Sequence, residues 1–139
     1  MHAGDLEGIY RKYIKCLNER DWETLGLLLH EDVTRNGSTL GIKGYTEMVE
    51  EDYEEIPDLH FEVDMLVVQP PTVACRLRFD VTPKGTFLGL AVNGRRVTFC
   101  ENVFYIFEDE KIRDVMSVID KIAIEFQLLR SMEASSKSS

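Results

Sequence analysis

Leu6, Ile9, Tyr10, Tyr13, Ile14 and Leu17 recur at the three- and four-residue spacing of an amphipathic helix, with Arg11, Lys12 and Lys15 on the remaining face. Asp21 caps a second, shorter helix whose apolar stripe is Trp22, Leu25, Leu28 and Leu29. Its continuation, from His30 to Arg35, reads as a short extended piece that closes on a turn at Asn36-Gly37. Tyr45, Met48, Val49 and Tyr53 then place a third helix over 44–55, which Pro57 ends.

Beyond Leu59 the pattern changes to strict alternation. Leu59, Phe61, Val63, Met65 and Val67 form one face of a strand and His60, Glu62 and Asp64 its wet face. After a turn at Pro70-Pro71, Val73, Cys75, Leu77, Phe79 and Val81 alternate with Arg76, Arg78 and Asp80, so the acidic strand can pair its charges with the basic one. The stretch 82–86 breaks the sheet, Phe87 to Leu90 is an apolar loop, and Asn93-Gly94 turns into two long runs around Glu108 to Lys111 that read as a hairpin. Counting by two along the last strand aligns Ile112, Asp114, Met116, Val118 and Asp120, which makes Asp120 the carboxylate at the end of a largely apolar row. Ile122, Phe126 and Leu129 form a closing helical stripe. The order is helices, antiparallel meander, helix: an α+β layout in which a curved sheet wraps the N-terminal helices. It predicts one domain over 1–131 and a disordered tail over 132–139.

Composition narrows the functions. With a formal net charge of -9, the chain lacks the cationic surface that nucleic acid or an anionic membrane requires. No apolar run spans a bilayer and the first residues carry no secretory pattern, so the expectation is a cytoplasmic protein. Cys16, Cys75 and Cys100 stand in apolar contexts without metal spacing and read as buried reduced thiols. The acidic run Glu47, Glu50, Glu51, Asp52, Glu54 and Glu55 reads as the solvated face of the third helix and not as a metal cage.

The text from Thr82 to Phe99, followed by the hairpin, by Ser117-Val118-Ile119-Asp120 and by Gln127-Leu128, resembles the SnoaL-like polyketide cyclases, closest to the branch called ester cyclases. The likeness continues upstream through Asn36-Gly37, Gly44-Tyr45 and 56–59. It implies the cone-shaped fold shared with nuclear transport factor two, ketosteroid isomerase and scytalone dehydratase, with an internal apolar pocket. It further implies no metal or organic cofactor, and acid-base isomerisation or cyclisation of a polyketide- or terpenoid-like carbonyl compound or lactone, including meroterpenoid lactones, in secondary metabolism. In the family's cyclases an aspartate near the end of the last strand moves the proton, and Asp120 matches it.

A carboxyl among Met116, Val118 and Ile119 is desolvated enough to take a proton from carbon, although Asp120 also precedes a helix and can cap it. Relatives often carry His-Trp where this chain has Val115-Met116, and Gly-Thr-His where it has Val81-Thr82-Pro83. The partner of Asp120 must therefore come from elsewhere, with Arg35 and Asn36 first and Tyr53, His60, Glu101, Tyr105 and Met116 as further pocket residues. The expected assembly is a homodimer packed through the outer sheet face, acting on a hydrophobic small molecule. The alternative is a non-catalytic binding or dimerisation module of the same fold. Convergence of Arg35, Asn36 and Asp120 on one cavity would separate the two. Epoxide hydrolysis by an Asp-Arg-Asp set would require a second buried aspartate, for which Asp114 is the candidate.

Overall fold

The computed structural model describes residues 2–138. Helices α1 (Ala3–Glu19), α2 (Trp22–Leu28) and α3 (Gly41–Glu55) lie against a six-stranded sheet. The strands are β1 (Leu29–Arg35), β2 (Ser38–Thr39), β3 (Glu62–Gln69), β4 (Thr72–Val81), β7 (Val97–Glu108) and β8 (Lys111–Ile119). They run in the order β2-β1-β8-β7-β4-β3. All pairs are antiparallel except β1 with β8. A separate two-stranded piece, β5 (Thr86–Phe87) with β6 (Leu90–Ala91), replaces the expected apolar loop. Helix α4 (Lys121–Ser138) closes the chain, so the described backbone is helical through 132–138, where composition suggested an unstructured tail.

The core is the set of stripes read from periodicity. Leu6, Tyr10, Tyr13, Ile14 and Leu17 of α1 meet Val73, Cys75, Leu77, Phe79 and Val81 of β4 and Val97, Phe99, Val103, Tyr105 and Phe107 of β7. The Asp21 carboxylate accepts from the Thr24 amide and caps α2 as expected. On the outer face of the sheet Arg76 pairs with Asp64 at 3.5 Å and Arg78 with Glu62 at 3.5 Å, the predicted cross-strand ladder. Cys16 and Cys75 are buried free thiols, and Cys100 is only partly buried.

Three patterns differ from the alternation, two of them for one reason. The β3–β4 register shifts between Val63 and Met65, and the β7–β8 register shifts between Ile106 and Phe107. An extra residue in one strand reverses which side chains face inward from that point on. In β3 this turns Leu66 and Val68 toward the core and leaves Met65 and Val67 on the outside. In β8, Ile112 faces the core before the shift, whereas Val115, Ser117 and Ile119 face inward after it. Met116, Val118 and Asp120 are therefore exposed on the other side. The third difference is α4, where Ile124 is buried and Ile122, Phe126 and Leu129, the stripe expected inside, are exposed.

Candidate active site

The concave side of the sheet encloses a pocket of about 230 Å³. Phe61, Phe79, Phe99 and Phe87 form a continuous aromatic wall with successive ring centroids 5.4, 5.2 and 5.5 Å apart. Ile56, Leu59, Leu88 and Ile119 complete the apolar lining, and Arg35, Asp52, Glu55 and Glu101 supply the polar groups. Behind it lies a chamber of about 40 Å³ that shares Arg35, Asp52, Phe61 and Glu101 with the pocket and adds Tyr13, Tyr45 and Tyr105.

Each polar group arrives there through its element. Arg35 is the last residue of β1, opposite Val115 on β8, and its guanidinium donates to the Ser117 hydroxyl at 3.1 Å and to a Glu101 carboxylate oxygen at 3.4 Å. Glu101 continues the inward row of Phe99, Val103 and Tyr105 on β7, opposite Leu77 and Ile119. Burial raises the Glu101 pKa, opposed by the Arg35 charge and by hydrogen bonds from Ser117 and Arg35. Asp52 comes from α3, one turn beyond Met48 and one turn before Ile56, on the helix stripe that faces the sheet. Burial lifts its pKa to about 6 against the opposing pull of Arg35, with the negative charge of Glu101 contributing further. Its carboxylate has no hydrogen-bond partner among the described side chains. Tyr13 and Tyr45 hydroxyls meet at 2.6 Å deeper in, and burial pushes Tyr45 up to about 12.

An acid that changes charge near neutrality, beside a fixed cation and against an apolar wall, is the arrangement required for proton transfer at carbon. Among the described residues no cluster of three His, Cys, Asp or Glu is arranged to hold a metal ion.

Of the residues expected at the site, the structure brings together Arg35, Glu101 and Tyr105. The others lie elsewhere. Asp120 is exposed beyond the end of β8, where its carboxylate accepts from the Ala123 amide at 3.2 Å and caps α4. The register shift in β8 puts it on the side away from the pocket. Asn36 occupies the β1–β2 turn at φ 48°, its side-chain oxygen accepting from the Ser117 amide at 2.8 Å. The Tyr53 hydroxyl donates to the Leu17 carbonyl while Arg20 lies 4.1 Å over its ring. His60 is exposed and Met116 is 44% exposed on the outer face. Asp114 accepts from the Thr34 hydroxyl at 2.8 Å and does not line the pocket, so it is not the second acid. Arg35, Asn36 and Asp120 do not converge; Arg35, Asp52 and Glu101 do.

Asp52 is the residue that sequence reasoning missed. Its acidic neighbours give the run the look of a solvated face, yet the spacing of Asp52, seven from Tyr45 and four from Met48, places it on the apolar stripe.

A curved, unclosed sheet wrapped on N-terminal helices around such a pocket defines the cone-shaped fold of nuclear transport factor two and its enzyme relatives. The profile of the SnoaL-like polyketide cyclases matches residues 7–128, and the chain belongs to that family. The structure is similar to a SnoaL-like polyketide cyclase from Agrobacterium tumefaciens, with 48% identity, a TM-score of 0.88 and coverage of 92% of this chain and 99% of that one. TsrD from Streptomyces laurentii shares the fold at 22% identity and TM-score 0.79, covering 92% of this chain and 97% of its own. A protein from Kribbella flavida described as a ketosteroid isomerase does so at 23% identity and TM-score 0.65, covering 84% and 78%. No functionally curated protein matches the chain. No helix among the described residues is long and apolar enough to cross a membrane.

Proposed function

We propose that the protein is a cofactor-independent acid-base isomerase or cyclase of a hydrophobic, polyketide- or terpenoid-like ketone or lactone, with Asp52 as the proton carrier. The observation that carries this reading is Asp52 itself, a carboxyl without a hydrogen-bond partner among the described residues, whose pKa of about 6 lets it exist in both forms near neutral pH. The ionised carboxylate removes a proton from the carbon next to the substrate carbonyl, and the C–H electron pair moves into the enolate. Arg35 lies beside the developing oxyanion, its charge partly balanced by Glu101. Protonated Asp52 then returns its proton to a different carbon, which is isomerisation. Alternatively the enolate carbon attacks a second carbonyl of the same molecule, which is ring closure, and the proton goes to the new alkoxide.

Both outcomes share the first step, and the test addresses that step. In D2O, 2-tetralone is expected to take up deuterium next to its carbonyl with a rate that rises with pH around a midpoint of about 6. Exchange no faster than in buffer would leave the binding-module alternative.

Met65, Val67, Phe104, Met116 and Val118 form an exposed apolar patch on the outer sheet face, which supports the homodimer reading. Val118→Glu places a charge at its most exposed member and is expected to shift the protein from dimer to monomer in size-exclusion chromatography. A monomeric wild type would refute the dimer.

A further inference from the structure

The chain makes the same tight turn four times with three different sequences. Asn36-Gly37 has φ of 48° and 85°, Asn93-Gly94 has 51° and 80°, Asp109-Glu110 has 53° and 62°, and Leu88-Gly89 has 53° and 77°. Both central residues of such a turn are left-handed, which suits Asn-Gly and disfavours leucine, whose side chain crowds the backbone there. The sequence therefore uses the favoured pair twice and departs from it twice, once with the exposed charged pair Asp109-Glu110 at the β7–β8 tip and once with the apolar Leu88 before Gly89. Of the two, the apolar departure at Leu88 stands at the mouth of the pocket.

Leu88 is the tip of the β5–β6 hairpin, which stands apart from the main sheet and contributes Phe87 and Leu88 to the pocket lining. The base of that hairpin is fixed. The Lys84 amide donates to the Glu55 carbonyl at 3.0 Å, the Gly94 amide to the Pro83 carbonyl at 2.8 Å and the Asn93 amide to the Gly85 carbonyl at 2.9 Å. Phe87 packs on Phe99 of the aromatic wall. Held in this way, Leu88 overhangs the pocket as a residue that is 37% exposed although it lines an apolar cavity. A strained backbone that carries an exposed apolar side chain to a pocket rim gives the folded chain little by itself. It is accounted for if the side chain meets an apolar ligand.

The geometry points to Leu88 as a specificity-determining residue: its left-handed backbone presents an apolar side chain that closes over a fused-ring or similarly broad apolar ligand seated against Phe79 and Phe99. This rests on the reading of the cavity as the ligand site. Substitution to asparagine converts the turn to the Asn-Gly used at two of the other turns and removes the apolar contact at the same time, so stability and affinity separate.

The test uses 6-propionyl-2-dimethylaminonaphthalene, a neutral aromatic ketone whose fluorescence reports an apolar environment, titrated into wild type, Leu88→Asn, Leu88→Met and Ile119→Trp. Leu88→Asn is expected to melt at or up to about 2 °C above wild type, and to bind the probe about fivefold more weakly. Leu88→Met, which keeps the apolar reach, binds as wild type, and Ile119→Trp, which fills the pocket from β8, loses binding. Unchanged affinity in Leu88→Asn with binding lost in Ile119→Trp overturns the role of Leu88 and leaves the pocket in place. A melting point of Leu88→Asn several degrees below wild type makes Leu88 a packing residue of the hairpin and overturns the role as well. Binding retained in Ile119→Trp removes the pocket reading and this inference together.

Discussion

The two faces of the sheet carry similar residue types to different ends. On the concave face Phe79, Phe99 and Ile119 surround Glu101, and Asp52 is added from α3, so the acids are desolvated and share one arginine. On the convex face Met116 and Val118 lead to Asp120, but the described residues of the single chain leave that side open and the aspartate serves a helix terminus. An apolar neighbourhood in the sequence therefore does not by itself take a carboxyl out of water. Enclosure does, because only removal from water makes the proton expensive to lose and a nearby cation effective.

The sharpest break of that comparison exchanges each aspartate for asparagine and measures deuterium uptake into 2-tetralone. Asp52→Asn is expected to lower exchange by about 10³-fold. Asp120→Asn, which keeps a good capping side chain, leaves it within about twofold of wild type. The opposite ranking would return the chemistry to the end of β8.

Why Asp120 stands out in the sequence and Asp52 does not is a matter of register. The helices, the β3-β4 and β7-β8 hairpins, the Asn-Gly turns and the α+β order follow from local periodicity and turn chemistry and are legible, whereas the Leu88-Gly89 hairpin reads as a loop because its apolar residues lack a turn signal. The shifts at Val63/Met65 and Ile106/Phe107 leave no mark in the pattern, since the residues around them are apolar on both faces, Val67 and Val68 in β3 and Met116 and Val115 in β8. One extra residue was enough to move Asp120 out and Ser117 in. Arg35 and Glu101 could be read because β1 ends on one and the inward row of β7 contains the other. Asp52 was hidden by its acidic neighbours, and only the curvature of the sheet over α3 shows that this one is enclosed.

Stability against pH gives a second, smaller separation of the two faces. Asp52 in the folded protein holds its proton up to about pH 6, against an ordinary value of 3.8. Between these values the folded state binds more protons than the unfolded one, so this group makes stability fall as pH rises from about 4 to 6 and leaves a constant penalty above. Asp52→Asn removes the penalty. Allowing for partial solvent screening, it is expected to be more stable than wild type by about 2 kcal/mol at pH 7.5, with the advantage gone near pH 4, in urea unfolding. An asparagine variant less stable than wild type at pH 7.5 would mean that the carboxylate is held by partners in the folded state, contrary to an acid kept free for proton transfer.

The smallest effect belongs to the convex side. The Asp120 carboxylate accepts one amide of the first turn of α4, and the Asp120 amide itself donates to the Cys100 carbonyl at 3.0 Å, which fixes where the helix leaves β8. Asp120→Ala removes the side-chain bond and keeps the backbone one, so the helix loses a cap without losing its anchor. The expected cost is about 1 kcal/mol in urea unfolding at neutral pH, with Asp120→Asn recovering most of it because the amide oxygen accepts the same bond. That recovery is informative because asparagine can cap a helix but cannot shuttle a proton. If neither stability nor its rescue followed this order, Asp120 would be doing something other than ending a strand and starting a helix.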